Sequence, residues 1–449
     1  MKVCFVSLGC DKNLVDSEHM LYLLEQDGFT FTPEPEDADI VVLNSCCFIG
    51  DAMEESINTV ISLGRLKTEG NLKLLVLAGC LGQRFTDEVL KDLPEVDAII
   101  GTNAYDEIVS VIRKALMDHK RPGYQPVTVI RDFSSLPKLS GRRYSSVLPY
   151  TYLKIAEGCD KRCTYCVIPS IRGSYRSYPM EDLVAEAKKL AEDGIKELNL
   201  VAQEVTLYGT DLYGQKSLPI LLRKLSEIPG IQWIRLLYCY PEEITDELIT
   251  EIKENPKVCH YIDMPIQHAS DEILRRMGRK TRSEVIKLTI EKLRSEIPDI
   301  AIRTTFICGF PGETESDHQL LLDFVKEMAF DRVGAFSYSR EEGTKAAEME
   351  DQIDDTLKDQ RRDALMLLQQ KLVFEKNSSL IHKNMPCIIE GKVEDGVYAA
   401  RSYRDAPDVD GLVFIETNKE LFSGDIVSVH ITKEKEYDLI GELEDEFTE

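Results

Sequence analysis

Two long stretches of this chain alternate short apolar runs with segments of helical spacing, and no other feature restricts the fold as much. In the first, residues 3–8 are apolar, 14–24 have helical spacing and end near Gly28, 39–43 read as a buried strand, and a helical stretch runs from 51 to about 64. Residues 72–78 and 98–100 repeat the scheme, and 106–117 close it. Such alternation implies a parallel sheet with helices on its faces. In the second, strand candidates fall at 150–156, 197–201, 233–237, 261–264, 300–307 and 332–336, with helices between. Six strands with right-handed crossovers suit a partly open (β/α)6 barrel. Between the two lies a segment with Pro122, Pro126, Pro137 and Pro149, the basic pair Arg142 and Arg143, and a short strand candidate at 127–130; it reads as a linker. Residues 354–383 form one long polar helix pattern. From Met385 short strands are punctuated by turn signals at Asp395-Gly396, Asp410-Gly411 and Ser423-Gly424, which suggests a small antiparallel β-barrel. The expected organisation is α/β throughout the first two domains: 1–118, a linker at 119–144, the barrel at 145–376 and the small β-barrel at 377–449.

Composition narrows the function classes. Of 449 residues 43% are hydrophobic, enough for a sizeable core and far from a disordered chain. No apolar run approaches the roughly 18 residues of a membrane span, and Asp11 and Lys12 interrupt the N-terminal apolar stretch too early for a secretory signal. The expectation is a cytoplasmic protein without a membrane partner. Thiols stay reduced there, so grouping among the 12 cysteines points to metal or redox chemistry rather than disulfides. A net charge of −25 argues against gripping phosphate over the whole surface. It leaves two readings, a surface that recruits a basic partner and one that serves solubility alone.

Cys159, Cys163 and Cys166 form CxxxCxxC directly after a strand candidate. One short loop can bring three thiolates to three corners of an iron–sulfur cubane, leaving the fourth iron open. A zinc site is the alternative, weakened by the lack of histidine in the segment. Cys10, Cys46 and Cys80 each sit just past a strand candidate of the first domain. The carboxyl ends of parallel strands share one edge, so these three can converge on a ligand; three small buried residues near turns is the other reading. Cys4, Cys47, Cys239, Cys259, Cys308 and Cys387 have no such setting and read as core residues.

The CxxxCxxC loop after the first barrel strand resembles the radical S-adenosylmethionine enzymes. The resemblance implies a [4Fe–4S] cluster whose open iron chelates the amino and carboxylate groups of S-adenosylmethionine, followed by one-electron cleavage to a 5′-deoxyadenosyl radical. Leu8-Gly9-Cys10, Lys12-Asn13, Asp16-Ser17-Glu18, Asn44-Ser45-Cys46 and Gly79-Cys80 resemble the N-terminal domain of one subgroup, the methylthiotransferases. That implies a second [4Fe–4S] cluster on Cys10, Cys46 and Cys80 which delivers sulfur, with Asn-Ser-Cys favouring Cys46 over its neighbour Cys47. The same resemblance implies S-adenosylmethionine contacts from Tyr165 in the cysteine loop, Gln203 and Glu204 after the second barrel strand, Gln267 after the fourth, Arg303 in the fifth as a bidentate partner for the methionine carboxylate, and Gly309 in the turn Gly309-Phe310-Pro311-Gly312-Glu313-Thr314. Two positions depart from the pattern: Glu204 replaces the usual aspartate, and Ser177-Tyr178-Pro179 lacks the arginine that commonly follows Arg172-Gly173. His268 is a substrate-contact candidate.

Within the methylthiotransferases one branch modifies adenosine in transfer RNA. The other modifies an aspartate β-carbon of small-subunit ribosomal protein twelve. Tyr238-Cys239-Tyr240-Pro241, Pro265-Ile266-Gln267-His268, the stretch from Tyr338 to Thr344 and the stretch from Ala400 to Gly411 are similar to the ribosomal-protein branch. Residues 377–449 carry 7 basic and 17 acidic side chains. This domain resembles TRAM modules, which often bind RNA, yet RNA requires clustered positive charge. An acidic barrel suits a strongly basic ribosomal protein instead. The partners implied are that protein and an electron donor such as flavodoxin or ferredoxin, and the enzyme is expected to be a monomer. The rivals are a transfer-RNA methylthiotransferase and a non-catalytic iron–sulfur protein that binds the ribosome.

Overall fold

The computed structural model describes residues 1–119, 121–139, 141–144 and 148–445. The expected start of the central domain at 145, the last four residues of the C-terminal domain, and positions 120 and 140 of the expected linker lie outside the described residues. The chain forms two compact units, Met1–Val147 with Glu157–Tyr178 and Ser339–Ala347, and Leu148–Ala156 with Pro179–Tyr338 and Glu348–Glu449.

The first unit is built on a six-stranded parallel sheet. Its spatial order is Thr30–Phe31, Lys2–Ser7, Ile40–Ser45, Leu74–Gly79, Ala98–Ile100, Val127–Val129. The two central strands are buried along their whole length, which explains why they read as continuous apolar runs rather than alternating ones. Their side chains still divide by face. Val41, Leu43, Leu75 and Leu77 pack with Val60, Leu63, Leu81 and Val89 from the helices of one face. Ile40, Val42, Leu74 and Val76 pack with Met20, Leu24, Ile108 and Val111 from the other. Each such aliphatic side chain withdrawn from water contributes ~1.5–3 kcal/mol.

The segment read as a linker supplies the sixth strand, Val127–Val129, in parallel register with Ala98–Ile100. Its basic pair is tied to the first helix, Asp11–Gln26, through Arg142 on Glu18 and Arg143 on Glu25. Val167 and Ile171 of the cysteine segment join the first face's core, so this segment packs as part of the N-terminal unit.

The second unit holds a six-stranded parallel sheet in strict chain order: Tyr150–Lys154, Glu197–Val201, Trp233–Leu236, Val258–Asp263, Ala301–Cys308, Arg332–Ser337. Among the described residues its two edge strands do not pair, so the barrel is open. The helix Asp355–Ser378 leads into a closed barrel of Asn384–Glu394, Val397–Ser402, Val413–Glu416, Asp438–Leu443 and Ile426–Lys435. Its ladders are antiparallel except for Val413–Glu416 with Asp438–Leu443, which run parallel.

One loop of this barrel, between Val397–Ser402 and Val413–Glu416, docks into the open barrel. Tyr150 and Tyr152 donate to the carboxylate of Asp408 at 2.8 and 3.0 Å. Glu197 pairs with Arg401, and Arg235 donates to the carbonyl of Tyr403. Tyr261 donates to Asp410, Arg303 faces the same carboxylate at 3.5 Å, and Arg332 pairs with Asp405. All six strands thus reach this loop or Arg401 just before it, which requires the sheet to curl around it. Tyr150, Glu197 and Arg332 are the first residues of their strands, so the loop enters from the amino-terminal mouth and leaves the carboxyl ends for ligands.

Candidate functional site

Cys10, Cys46 and Cys80 follow three adjacent parallel strands, Lys2–Ser7, Ile40–Ser45 and Leu74–Gly79, at one edge of the sheet. The polar residues around them hold the three loops together. Asn13, fully buried in the first turn of the helix Asp11–Gln26, donates through Nδ2 to the carbonyls of Leu8 (3.1 Å) and Ser45 (3.0 Å). Asn44 donates to the Asn13 carbonyl and to Ser17 Oγ, both at 2.9 Å. Ser45 Oγ donates to the Ala78 carbonyl and accepts from the amide of Leu81. Ser56 Oγ bonds both the amide and the carbonyl of Cys46. Removing any of these side chains would leave buried partners unsatisfied.

Glycine makes the close approach possible at two points. Gly9 has φ +92°, and a Cβ there would lie 2.7 Å from Cβ and 3.0 Å from Sγ of Cys46. Gly79 has φ +89°, and its Cβ would strike Asn44 Oδ1 at 2.3 Å. Only a residue without a side chain fits either place.

Cys10 is exposed, while Cys46 and Cys80 are buried. Burial pushes the Cys80 thiol up to about 12 and is countered by the neighbouring Arg172, while Cys46 and Cys10 add to the rise. Burial likewise raises Cys46, again with a contribution from Cys10. Such thiols keep their protons at neutral pH unless a metal displaces them, so iron loading here releases protons. Among the described residues no three His, Cys, Asp or Glu side chains close on a single ion. A cubane needs its ligands at separate corners rather than around one centre.

Cys159, Cys163 and Cys166 belong to the same unit. The amide of Cys159 donates to the Gly173 carbonyl and that of Cys166 to the Cys163 carbonyl. Gly158 has φ +82°, and a Cβ there would meet the Ser174 carbonyl oxygen at 2.1 Å. Arg162 occupies a left-handed conformation without being glycine, a strain that concentrates at functional loops. The stretch after the loop, Ile168–Arg172, ends in the buried Arg172. Its guanidinium donates to Asp16 (2.8 Å), Glu157 (2.9 Å), Asn13 Oδ1 and the Sγ of Cys80 (3.7 Å). The six cysteines read as core residues are all buried.

The segment Ser339–Ala347 is anchored in this unit as well. Arg84 donates to the Cys47 carbonyl, to Glu341 and to the Glu342 carbonyl, and the Ala346 amide donates to the Thr164 carbonyl between Cys163 and Cys166. Part of the stretch singled out by resemblance therefore clamps the cysteine-bearing loops. Tyr178, at the position that departs from the pattern, is buried with its hydroxyl 3.3 Å from that of Tyr105. Arg176 is tied to Asn103 and Ser135.

In the second unit Gln203, Glu204, Gln267 and Gly309 lie just past strand ends at the carboxyl edge. Glu204 is fully buried and accepts from the Thr206 amide and hydroxyl. Gln267 and Tyr238 both take positive φ, 78° and 59°. Gly309 has φ +74°; its amide and that of Phe310 donate to Glu313, whose carboxylate also receives Arg361. That carboxylate closes the glycine turn, and Thr314 with Asp317 forms a capping box for the helix that follows.

Two of the expected contact residues already have partners within this unit. Arg303 donates to Asp263 at 2.8 Å and faces Asp410, so its guanidinium is paired within the barrel. His268 is fully buried; its Nδ1 accepts from the Ser270 amide at 2.9 Å and its Nε2 stands 3.6 Å from Glu313. Tyr165 is half-buried in the cysteine loop. Sequence reasoning missed Arg172, Asn13 and Glu157 as a group, although Asn13, Asp16 and Arg172 lie within motifs it quoted.

Three family models match the chain: the radical SAM superfamily over residues 153–325, the uncharacterized protein family UPF0004 over 2–101 and the TRAM domain over 381–443. The protein "Ribosomal protein uS12 methylthiotransferase RimO" of Lachnoclostridium phytofermentans is 54% identical over 99% of this chain and 100% of its own. Its namesake from Acetivibrio thermocellus is 50% identical over 98% of each chain. Among solved structures, the radical S-adenosylmethionine methyltransferase TsrM from Kitasatospora setae matches 74% of this chain and 72% of its own, with a TM-score of 0.55 at 14% identity. That likeness concerns the fold.

Proposed function

The chain belongs to the RimO family of ribosomal protein uS12 methylthiotransferases, and from that premise we propose which of its residues carry the reaction and what they act on. It is a radical S-adenosylmethionine enzyme that uses [4Fe–4S] clusters and S-adenosylmethionine. In our reading Cys159, Cys163 and Cys166 hold one cluster and Cys10, Cys46 and Cys80 the other. When bound, the first supplies the electron that cleaves S-adenosylmethionine and the second supplies the sulfur that is transferred.

The observation that carries this reading is the convergence of Cys10, Cys46 and Cys80 at three adjacent strand ends, in the unit that also holds the CxxxCxxC loop. The buried net of Asn13, Asn44 and Ser45 orients the N-terminal ligands, and Gly158 lets the second loop turn tightly. Tyr165, Gln203, Glu204, Gln267 and Gly309 are our candidates for holding S-adenosylmethionine. The turn braced by Glu313 offers backbone rather than side chain to the adenine. Arg303 would have to leave Asp263 and Asp410 to reach a methionine carboxylate, so we assign it to the barrel interior.

The substrate atom in this reading is the β-carbon of an aspartate in uS12, small-subunit ribosomal protein twelve. The acidic C-terminal barrel favours that basic protein over transfer RNA. No helix among the described residues is long and apolar enough to cross a membrane. We place the enzyme in the cytoplasm, where its ribosomal substrate is made, as a monomer reduced by a flavodoxin or ferredoxin.

The test is an anaerobic reaction of the cluster-loaded protein with S-adenosylmethionine, sulfide and reductant, offering a uS12 loop peptide and a transfer RNA side by side. Mass spectrometry should find the methylthio group on the peptide aspartate alone. Cys159→Ala should abolish 5′-deoxyadenosine formation, while Cys10→Ala should retain it and lose methylthiolation. Modification of the transfer RNA, or equal loss of both activities in Cys10→Ala, would overturn the assignment.

A further inference from the structure

Arg172 is the side chain whose contacts the reading above leaves without a task. It is buried to 2% of its side-chain surface, and a buried guanidinium is expensive unless its charge is compensated. Compensation is present: Asp16 at 2.8 Å and Glu157 at 2.9 Å hold it firmly in the charged form. One carboxylate neutralises one arginine and two leave the group at a net charge of −1, yet the same fork also reaches Asn13 Oδ1 and the Sγ of Cys80. The contacts span the gap between the two cysteine sets. Glu157 precedes Cys159 by two residues, Arg172 closes the helix after Cys166, and Cys80 belongs to the N-terminal set.

We propose that Arg172 is a positioning residue for the second cluster: it donates an N–H···S hydrogen bond to the ligand Cys80, raises that cluster's reduction potential, and through Glu157 ties the ligand to the segment carrying Cys159, Cys163 and Cys166. The inference rests on the assignment of a cluster to Cys10, Cys46 and Cys80. Hydrogen bonds to ligand sulfurs favour the more negative, reduced state of an iron–sulfur cluster, so the loss of one moves the potential downward. Arginine suits the task because its planar fork serves a sulfur and two carboxylates at once, which a lysine ammonium does less well.

The test uses the full-length chain with Cys159, Cys163 and Cys166 all replaced by alanine, so that only the N-terminal cluster is loaded. Iron analysis of this parent comes first; a parent that binds no iron overturns the cluster assignment and the proposal with it. Where iron is bound, the midpoint potential is read by electron paramagnetic resonance during redox titration. Arg172→Gln should shift it to more negative values, and Arg172→Lys should recover part of the shift. In the parent labelled with ¹⁵N-arginine, the reduced cluster should show hyperfine coupling to nitrogen, a readout that needs no variant to fold. Identical potentials in parent, Gln and Lys forms, or no arginine coupling in the parent, would overturn the role.

Discussion

At Arg303 a methionine carboxylate would be the third around one guanidinium. Arg303 is held by Asp263 and Asp410, and burial, which alone would lower its charge affinity, is outweighed by these neighbours so that it stays charged. Asp263 in turn accepts from the amide of Tyr238, the residue in a left-handed conformation at the carboxyl edge. The interior of the barrel thus connects a loop of the C-terminal domain, through Arg303 and Asp263, to the motif Tyr238-Cys239-Tyr240-Pro241. Removing one partner of such a buried group leaves uncompensated charge, at about 3–5 kcal/mol. Arg303→Met should therefore lower the melting temperature by several degrees or more while S-adenosylmethionine affinity in the folded fraction stays near the native value. A variant that melts normally but binds the cofactor weakly would assign Arg303 to the cofactor after all. The residue types were legible in the sequence here, but their pairing was not: an arginine in a barrel strand looks the same whether it faces a ligand or an aspartate a hundred residues away.

At the scale of elements, the sequence exposes what repeats and hides what does not. Strand starts such as Ala98, Glu197 and Trp233 stand where the sequence pattern places them, because a parallel strand buried along its length reads as a largely apolar run. The strand Val127–Val129 reads as a candidate inside a proline-rich stretch, but three residues say nothing of its place as the sixth strand of the sheet, beside Ala98–Ile100. The stretch from Arg401 to Asp410 is mostly polar, and nothing in its pattern announces docking, which appears only when the six strands that receive it are folded.

Glu197 is the hub of that docking, fully buried between Arg235 and Arg401. Burial pushes its carboxyl up, but the two arginines outweigh burial and hold it below the ordinary 4.5. A carboxyl whose folded value is lowered contributes stability that is fully present above its unfolded value and is lost as pH falls through the folded one. Glu197→Gln should accordingly be less stable than the native chain at pH 7, and the gap in unfolding free energy should narrow on acidification below about 4.5. Parallel denaturant titrations of both proteins across that range measure it; a gap independent of pH would mean the carboxylate charge contributes nothing.

For the molecule as a whole, charge was the most legible property, and the structure changes how it should be counted. Residues 377–449 carry 17 acidic side chains against 7 basic ones, but Asp405, Asp408 and Asp410 are turned into the barrel and Glu390 is paired with Arg401. Those acids stabilise the fold and offer nothing to a partner. The remainder, among them Glu394, Glu416, Asp425 and Glu434, still outnumber the domain's lysines and arginines. A basic substrate approaching this domain, on a chain of net charge −25, is steered by long-range attraction that salt screens within a Debye length of ~8 Å at physiological ionic strength. The chemical step, sequestered from solvent ions, does not share that sensitivity. Raising salt from about 0.05 to about 0.5 M should therefore reduce kcat/KM for intact uS12 several-fold through KM, with kcat nearly unchanged. Cleavage of S-adenosylmethionine without substrate should not respond. Replacing Glu394, Glu416, Asp425 and Glu434 with glutamine should flatten the salt dependence, because these acids lie outside the buried pairs that hold the loop. If kcat/KM stays constant across the salt series, the acidity of this domain serves solubility, and recognition of the ribosomal protein must lie in contacts at the reacting aspartate.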